Sequence, residues 1–203
     1  MKKNKISKNW IYKQKKDIFV KQSKLEGYKS RAVYKLQEIN DKFKIFKNGM
    51  CIIDLGAAPG SWSQYIIKSI KNVKLLAIDL TEIEKIDKVK VITGDFTEEA
   101  SKRKIHDYFG TKIDVVVSDM AQNTTGNKNL DSINTGELCM DALLFSKTIL
   151  NTKGTFVSKI FMGSTFKEII DMAKDNFKQV NIYKPSASRK DSKENYIICK
   201  FLK

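Results

Sequence analysis

The feature that most limits the possible folds of this 203-residue chain is an apolar run followed by a glycine-containing turn and a helix-like segment. The apolar run covers residues 50–53 (MCII), the turn lies in residues 54–63 (DLGAAPGSWS), and the helix-like segment follows at 64–68 (QYIIK). A strand, a glycine turn and a helix in this order present backbone amides to a nucleotide-like ligand in α/β sheets. The run therefore predicts an α/β protein with a ligand site beside this turn.

The spacing of the glycines indicates which ligand fits the turn. The dinucleotide fingerprint needs three glycines in a G-x-G-x-x-G pattern, whereas here Gly56 and Gly60 flank Ala-Ala-Pro. A pyrophosphate at the helix N-terminus is therefore disfavoured, although an NAD-dependent oxidoreductase remains an alternative. A ligand that joins adenosine to an amino-acid tail, S-adenosylmethionine, fits better.

Strand-like and helix-like segments alternate along most of the chain. Apolar residues recur every three or four positions over residues 30–46, which predicts an amphipathic helix that ends at Asn48 and Gly49. Further helices are predicted near 61–71, 97–109, 136–150 and 164–176, and strands at 50–55, 73–80, 89–93, 113–119, 155–161, 180–183 and 196–202.

The end of the chain predicts the sheet topology. The last two predicted strands are joined by a loop at 184–195 without a helix, so the final strand should run antiparallel. This is the architecture of Rossmann-like methyltransferases. We therefore predict an α/β, Rossmann-like, S-adenosylmethionine-dependent methyltransferase fold, with a seven-stranded, mostly parallel sheet that has one antiparallel strand and helices on both faces.

The positive charge of the chain is concentrated at its two ends. The formal net charge is +15, to which residues 1–48 contribute +11, residues 49–177 contribute −1 and residues 178–203 contribute +5. A lysine-rich composition alone would raise the charge everywhere, so it does not explain a neutral middle. A polyanion partner does, and we expect that partner to be nucleic acid.

Composition limits the number of domains and the class of protein. Residues 1–27 lack sustained periodicity and are predicted to form a basic N-terminal arm that contacts RNA, with aromatic anchors at Trp10, Tyr12 and Phe19. Residues 28–203 are predicted to form one methyltransferase domain.

No apolar run approaches the ~20 residues of a membrane span, and three scattered cysteines with one histidine do not suit a metal site. We expect a cytoplasmic monomer with no metal and no membrane contact.

Three acidic residues follow successive predicted strands. Asp79 lies 23 positions after Gly56, where an acid can accept hydrogen bonds from ribose hydroxyls. Asp95 follows the third strand, where it could accept from the amine of adenine, and Asp119 ends the fourth. Strands often end at aspartate because aspartate suits turns, but three in register with a glycine turn favour a cofactor site.

Lys159 lies in an otherwise apolar predicted strand, residues 155–161 (TFVSKIF). A buried ammonium must pair with an acid or lose its proton through a lowered pKa, and a lysine of the second kind suits a general base. Lys35 lies beside the apolar stripe of the helix at 30–46, so its ammonium could reach the sheet edge. Alone, Lys35 is typical of a surface lysine, and Glu194 is typical of a solvated loop residue.

Six short motifs resemble those of the FtsJ-like ribosomal RNA 2′-O-ribose methyltransferases, and the resemblance extends over residues 28–200. The motifs are SRA…KL at 30–36, DLGAAPGSWSQ at 54–64, GDF at 94–96, SDMA at 118–121, SKIF-x-G at 158–163 and SR…S-x-E-x-Y at 188–196. Two positions depart from the family pattern. Ser61 stands where a second glycine is common, and Gln122 stands where proline is usual.

The resemblance implies a reaction, a cofactor and a set of site residues. The Lys-Asp-Lys-Glu tetrad of the family falls on four residues of this chain, and the third would take the proton of a ribose 2′-hydroxyl. These four are Lys35, Asp119, Lys159 and Glu194. S-adenosylmethionine is the implied cofactor, and its expected binding residues are Gly56, Gly60, Trp62, Asp79, Asp95 and Asp119.

The implied substrate is RNA, specifically a uridine of large-subunit, 23S-type ribosomal RNA, with transfer RNA as the alternative. A catalytically silent RNA-binding module with the same fold is a further alternative, but every tetrad position is filled. Methylation of base carbon needs a cysteine nucleophile in the site, and no cysteine follows the relevant strands.

Overall fold

The computed structural model describes residues 17–121, 128–189 and 192–203, which form six helices and seven strands. The helices are α1 (Ile18–Leu25), α2 (Val33–Phe43), α3 (Ser61–Ser69), α4 (Glu99–Phe109), α5 (Lys128–Ile149) and α6 (Phe166–Asn176). The strands are β1 (Cys51–Leu55), β2 (Lys74–Asp79), β3 (Val89–Thr93), β4 (Ile113–Ser118), β5 (Leu150–Phe161), β6 (Phe177–Tyr183) and β7 (Glu194–Leu202).

The strands form one sheet in the order β3-β2-β1-β4-β5-β7-β6. Strands β3, β2, β1, β4 and β5 are parallel neighbours, and β7 runs antiparallel between β5 and β6. The predicted fold class is therefore confirmed. The strand order reverses between β1 and β4, which is where open α/β sheets bind ligands beyond the carboxyl ends of their strands.

Helices cover both faces of the sheet because successive strand residues point to opposite faces. In β1, the side chain of Ile53 packs in the apolar cluster that includes residues of α4, α5 and α6. The preceding residue, Ile52, packs in the opposite cluster with residues of α2 and α3. Burial on both faces explains why the central strands read as continuous apolar runs.

Helix α1 lies within the segment that the sequence predicts as a basic arm. It carries no apolar stripe that periodicity could reveal, since Ile18 and Leu25 are exposed and Ser23 is buried. Instead, the carboxylate of Asp17 caps the helix by accepting the backbone N–H of Phe19 at 3.0 Å. The Phe19 ring then packs on Tyr34 of α2, with 5.4 Å between ring centroids.

Helix α2 ends earlier than the predicted Asn48 and Gly49. The side-chain oxygen of Asn40 accepts the backbone N–H groups of Ile45 and Phe46, each at 3.1 Å. These bonds replace the helical ones, and Lys44 adopts a left-handed conformation with φ of 50°. The predicted helix at 136–150 begins instead at Lys128. Its first two turns, KNLDSINT, are mostly polar, so hydrophobic periodicity did not reveal them.

Two parts of the sequence prediction fall outside the described residues, namely the arm anchors Trp10 and Tyr12 and the departure at Gln122. Among the helices of the described ranges, none combines the length and the apolar character that crossing a membrane requires.

We expect Leu36→Ala to lower the free energy of unfolding by about 2–5 kcal/mol, because it leaves a cavity where α2 packs on the sheet. Leu36 is fully buried, whereas its neighbour Gln37 on the same helix is exposed. Denaturant unfolding measures the loss, with Gln37→Ala as the control that should change stability by about 0.5 kcal/mol or less. Equal effects of the two substitutions would contradict this packing.

Candidate active site

The fold brings Lys35, Asp119, Lys159 and Glu194 together at one edge of the sheet. Asp119 directly follows β4, and the register that pairs Ser118 with Ser158 sets it beside Lys159 of β5. Glu194 begins the antiparallel strand β7, so its position opposite Phe161 returns the chain to the same edge. Lys35 reaches the group from helix α2. We call these four residues the tetrad.

The two lysines and two acids of the tetrad form a connected ionic network. Lys159 Nζ lies 2.8 Å from Asp119 Oδ1 and donates to the Asp119 backbone oxygen at 2.7 Å. Lys35 Nζ lies 2.8 Å from Glu194 Oε2 and 3.7 Å from Asp119 Oδ2. The distance between Lys159 Nζ and Glu194 Oε2 is 3.9 Å. Each acid therefore contacts both ammonium groups.

Two hydroxyl groups also hold the acids of the tetrad. The Tyr196 hydroxyl donates to Asp119 Oδ1 at 2.5 Å, and the Ser188 hydroxyl donates to Glu194 Oε1 at 2.7 Å. Both donors are buried, since Tyr196 is 0% exposed and Ser188 is 5% exposed. The carboxylates are thus fixed by neutral donors as well as by the ammonium groups.

Burial and charge act in opposite directions on the titration of the tetrad. Burial would raise the pKa of Asp119, but the ammonium groups of Lys159 and Lys35 hold this pKa below its ordinary value. Burial would lower the pKa of Lys35, but Asp119 and Glu194 raise it above its ordinary value. Burial and both acids raise the pKa of Tyr196 well above 10.0. Asp119 is therefore ionised, Lys35 is charged and Tyr196 remains a donor at neutral pH.

A cavity of about 790 Å³ opens next to the tetrad at the carboxyl ends of β1, β2, β3 and β4. Its size suits a small-molecule ligand. All three acids predicted from strand ends line the cavity together with Gly56, namely Asp79, Asp95 and Asp119. Asp119 therefore belongs to both the cavity wall and the tetrad.

The two acids outside the tetrad are oriented by neighbouring backbone groups. Asp79 accepts the backbone N–H of Ala58 at 2.9 Å and that of Thr81 at 2.7 Å, one on each carboxylate oxygen. Asp95 accepts the N–H and the hydroxyl of Thr97 on a single oxygen. A carboxylate oxygen can accept more than one hydrogen bond, so both acids keep acceptor capacity toward the cavity.

The glycines of the turn have conformational roles. Gly56 has a φ of +67°, and a Cβ there would lie 2.1 Å from Met120 Cγ. Gly60 has a φ of +104°, and a Cβ there would lie 2.6 Å from Ile86 Cδ1. Gly56 lines the large cavity. Gly60 lines neither this cavity nor a second, smaller cavity beneath the turn.

Trp62, which the resemblance implies as a cofactor residue, is not among the residues that line the large cavity. Its side chain is buried, and its indole N–H donates to the backbone oxygen of Ala32 at 2.8 Å. The ring packs on Tyr196 with 5.9 Å between centroids. It lines a cavity of about 40 Å³ beneath the turn, which shares Gly56, Ala58 and Asp119 with the lining of the large cavity. In this structure Trp62 joins α3 to the residue that precedes α2.

Asp54, the next-to-last residue of β1, is a buried acid for which the sequence analysis predicted no role. It lines the same small cavity and accepts the Ser63 hydroxyl at 2.7 Å. Burial raises its pKa from 3.8 to about 7, and the negative charges of Asp119 and Asp79 act in the same direction. Asp54 therefore holds a proton over part of the neutral range.

Other residues of the site also had no predicted role. Ser188 and Tyr196 lie in the SR…S-x-E-x-Y motif, so the sequence carried a signal for them but not their partners. Leu138 and Asp141 of α5 line the large cavity, and no spacing in the sequence distinguishes them. Within the described ranges, no group of three or more histidine, cysteine or acidic residues is arranged to hold a metal ion.

We expect the stability of the protein to fall as the pH rises from about 4 to about 7 relative to an Asp54→Asn variant. Because Asp54 binds its proton more tightly in the folded protein than in the unfolded chain, its favourable contribution is complete below pH 3.8 and is lost above pH 7. Between pH 5 and pH 8 the wild type should lose about 2–4 kcal/mol more of its free energy of unfolding than Asp54→Asn does. Denaturant unfolding at the two pH values measures this loss. The exposed Asp87→Asn should follow the wild type, and parallel curves for all three proteins would contradict the prediction.

Comparison with protein families and curated proteins places the chain in a defined group. The model of the FtsJ-like methyltransferase family matches residues 28–202. A protein of Pelagibacter ubique named ribosomal RNA large subunit methyltransferase E is 58% identical over 203 residues, which are 100% of both chains. A protein of the same name from Rickettsia akari is 45% identical over 198 residues, or 95% of this chain and 87% of that one.

Solved structures agree with this grouping. A protein of Plasmodium falciparum assigned as a ribosomal RNA methyltransferase is 32% identical with a TM-score of 0.78, covering 86% of this chain and 98% of that chain. A Streptococcus mutans protein assigned as a methyltransferase and solved in complex with SAH is 13% identical with a TM-score of 0.53, covering 85% of this chain and 96% of that chain. It shows likeness of fold alone. The resemblance seen in the six motifs is thus confirmed, and the chain belongs to the FtsJ-like methyltransferase family.

Proposed function

We propose that this protein is an S-adenosylmethionine-dependent methyltransferase that modifies the ribose 2′-hydroxyl of a uridine in large-subunit ribosomal RNA. The observation that carries the proposal is the double position of Asp119, which lines the large cavity and also contacts both lysines of the tetrad. A ligand in the cavity and a ribose at the tetrad would therefore meet at this residue.

The residues of the large cavity fit S-adenosylmethionine. An ionised carboxylate can accept hydrogen bonds but cannot donate them. Asp79 and Asp95 therefore suit the ribose hydroxyls and the adenine amine of this cofactor, which are donors. The same negative charges suit its sulfonium and ammonium groups. When bound, S-adenosylmethionine supplies a methyl group that the sulfonium has already activated, so the protein has to align the acceptor and remove one proton.

We propose that Lys159 accepts that proton. Its Nζ contacts Asp119 twice, at Oδ1 and at the backbone oxygen. Lys159 would first release one proton of its ammonium group to solvent. The resulting neutral amine has two N–H groups and one lone pair, so both N–H groups can donate to Asp119 while the lone pair accepts the 2′-hydroxyl proton. The O–H bond breaks, the proton moves to Nζ, and the ribose oxygen becomes the nucleophile.

Lys35 and Glu194 would keep the charge of the site constant during this transfer. The raised pKa of Lys35 keeps it an ammonium, so it does not compete with Lys159 for the proton. Its contacts with Glu194 and Asp119 offset the negative charge that these acids bring to a buried site. We infer that this arrangement also holds the ribose.

The substrate assignment draws on the charge of the chain and on its relatives. The concentration of positive charge in residues 1–48 and 178–203 suits an RNA backbone, and we include contacts from the basic segment 1–27 in the proposal. Relatives that are 58% and 45% identical carry the name ribosomal RNA large subunit methyltransferase E. Large-subunit ribosomal RNA is therefore the substrate that we propose for this chain.

Mapping of 2′-O-methyl groups in cells with and without the protein tests the substrate. We expect one uridine of the large-subunit ribosomal RNA to lose its 2′-O-methyl group when the protein is absent and to regain it when the gene is restored. Unchanged ribosomal RNA together with a lost modification in transfer RNA would overturn the substrate assignment.

We expect Lys159→Ala to lower the rate of methyl transfer at least 100-fold, because no other group of the tetrad is free to take the proton. S-adenosylmethionine should still bind with a Kd within about threefold of the wild type, since Lys159 does not line the large cavity. The matched control is Lys153→Ala, which removes an exposed lysine from the same strand β5. Retained transfer by Lys159→Ala would eliminate Lys159 as the base.

A further inference from the structure

We propose that Glu38 of helix α2 is a positioning residue for the tetrad, because it fixes the loop between β6 and β7 that holds Glu194 in place. The inference rests on the proposed function, since methyl transfer is what it expects to change. Glu38 itself touches neither the large cavity nor any tetrad residue in the contacts of the structure.

The carboxylate of Glu38 accepts hydrogen bonds from the last residue of β6 and from two residues of the loop that follows it. The hydroxyl of Tyr183, the last residue of β6, donates to Oε1 at 2.5 Å. The backbone N–H of Ser186 donates to both oxygens at 2.8 Å and 2.9 Å, and the Ser186 hydroxyl donates to Oε2 at 2.8 Å. The backbone N–H of Ala187 donates to Oε2 at 3.3 Å. One side chain therefore fixes both the start and the middle of the loop.

The fixed part of the loop leads directly to Glu194. Ala187 is held on its other side as well, because the Arg31 guanidinium donates to its backbone oxygen. The next residue, Ser188, donates its hydroxyl to Glu194 Oε1 at 2.7 Å and is only 5% exposed. A shift of Ala187 would move Ser188, and Glu194 would lose a buried donor.

The spacing along helix α2 explains why this contact matters for Lys35. Lys35 and Glu38 are three residues apart, so they lie on the same face of the helix. Lys35 contacts Glu194 directly, whereas Glu38 contacts the loop that holds Glu194. The two residues together fix the position of α2 against the end of the sheet. The geometry of the ion pair between Lys35 and Glu194 thus depends on Glu38.

The ionised state of Glu38 supports this role. Burial would raise its pKa, but hydrogen bonds from Tyr183, Ser186 and Ala187 lower the pKa below its ordinary value. The same contact raises the pKa of Tyr183 to about 12, so Tyr183 remains a donor. Hydrogen bonds to a charged acceptor are stronger than those to a neutral one, and Glu38→Gln should therefore keep only part of the effect.

The first experiment compares Glu38→Ala and Glu38→Gln with Asp41→Asn, which neutralises an exposed acid on the same helix. We expect Glu38→Ala to lower kcat for RNA methylation about 10- to 100-fold, because a displacement near 1 Å at a catalytic group has effects of this size. Glu38→Gln should lie between it and the wild type. The Kd for S-adenosylmethionine should stay within about twofold, and Asp41→Asn should match the wild type in both measurements.

The second experiment is a double-mutant cycle with Glu194→Gln, which separates positioning from general destabilisation. If Glu38 acts through Glu194, Glu38→Ala should lower kcat less than about twofold in the Glu194→Gln background. A full second loss in that background, or wild-type kcat in Glu38→Ala, would overturn the inference. If Glu38→Ala does not fold, Glu38→Gln takes its place in the cycle. Failure of the wild-type protein to methylate RNA would instead count against the proposed function.

Discussion

The ion pair between Asp119 and Lys159 is the contact on which the rest of the site depends. Lys159 is 7% exposed, and removing either partner would leave the other buried charge without its shortest ionic contact. The structure offsets the cost of burying Asp119 with two ammonium groups and the Tyr196 hydroxyl. Because Asp119 also lines the large cavity, the same carboxylate connects this cavity with Lys159.

The sheet topology makes this contact possible. Parallel strands β4 and β5 end at the same edge, which brings Asp119 to Lys159, and the antiparallel strand β7 begins at that edge with Glu194. Helix α2 supplies the remaining lysine from outside the sheet. Its buried face, which includes Leu36, packs on the sheet, and its Glu38 side chain accepts hydrogen bonds from the loop before β7. A site built on strand ends is held more rigidly than one built on loops alone.

The sequence predicted those features that are encoded locally. Apolar runs located the central strands, and motif resemblance located the tetrad, which the fold then brought together. The helix α1 was missed because a cap at Asp17 and the anchor Phe19 define it, without a periodic stripe. Contacts between distant residues were also missed. Glu38 and Ser186 are 148 positions apart, so neither segment carries a signal that the other is its partner. The same holds for the raised pKa of Asp54, which arises from burial.

The central claim is that the tetrad directs methyl transfer to a ribose hydroxyl, and analysis of the product tests it most directly. The purified protein would transfer a labelled methyl group from S-adenosylmethionine to large-subunit ribosomal RNA, which is then hydrolysed completely with alkali. Alkaline cleavage requires a free 2′-hydroxyl, so we predict that the label will remain in alkali-resistant dinucleotides. Label recovered in mononucleotides would show methylation of a base and would contradict the account.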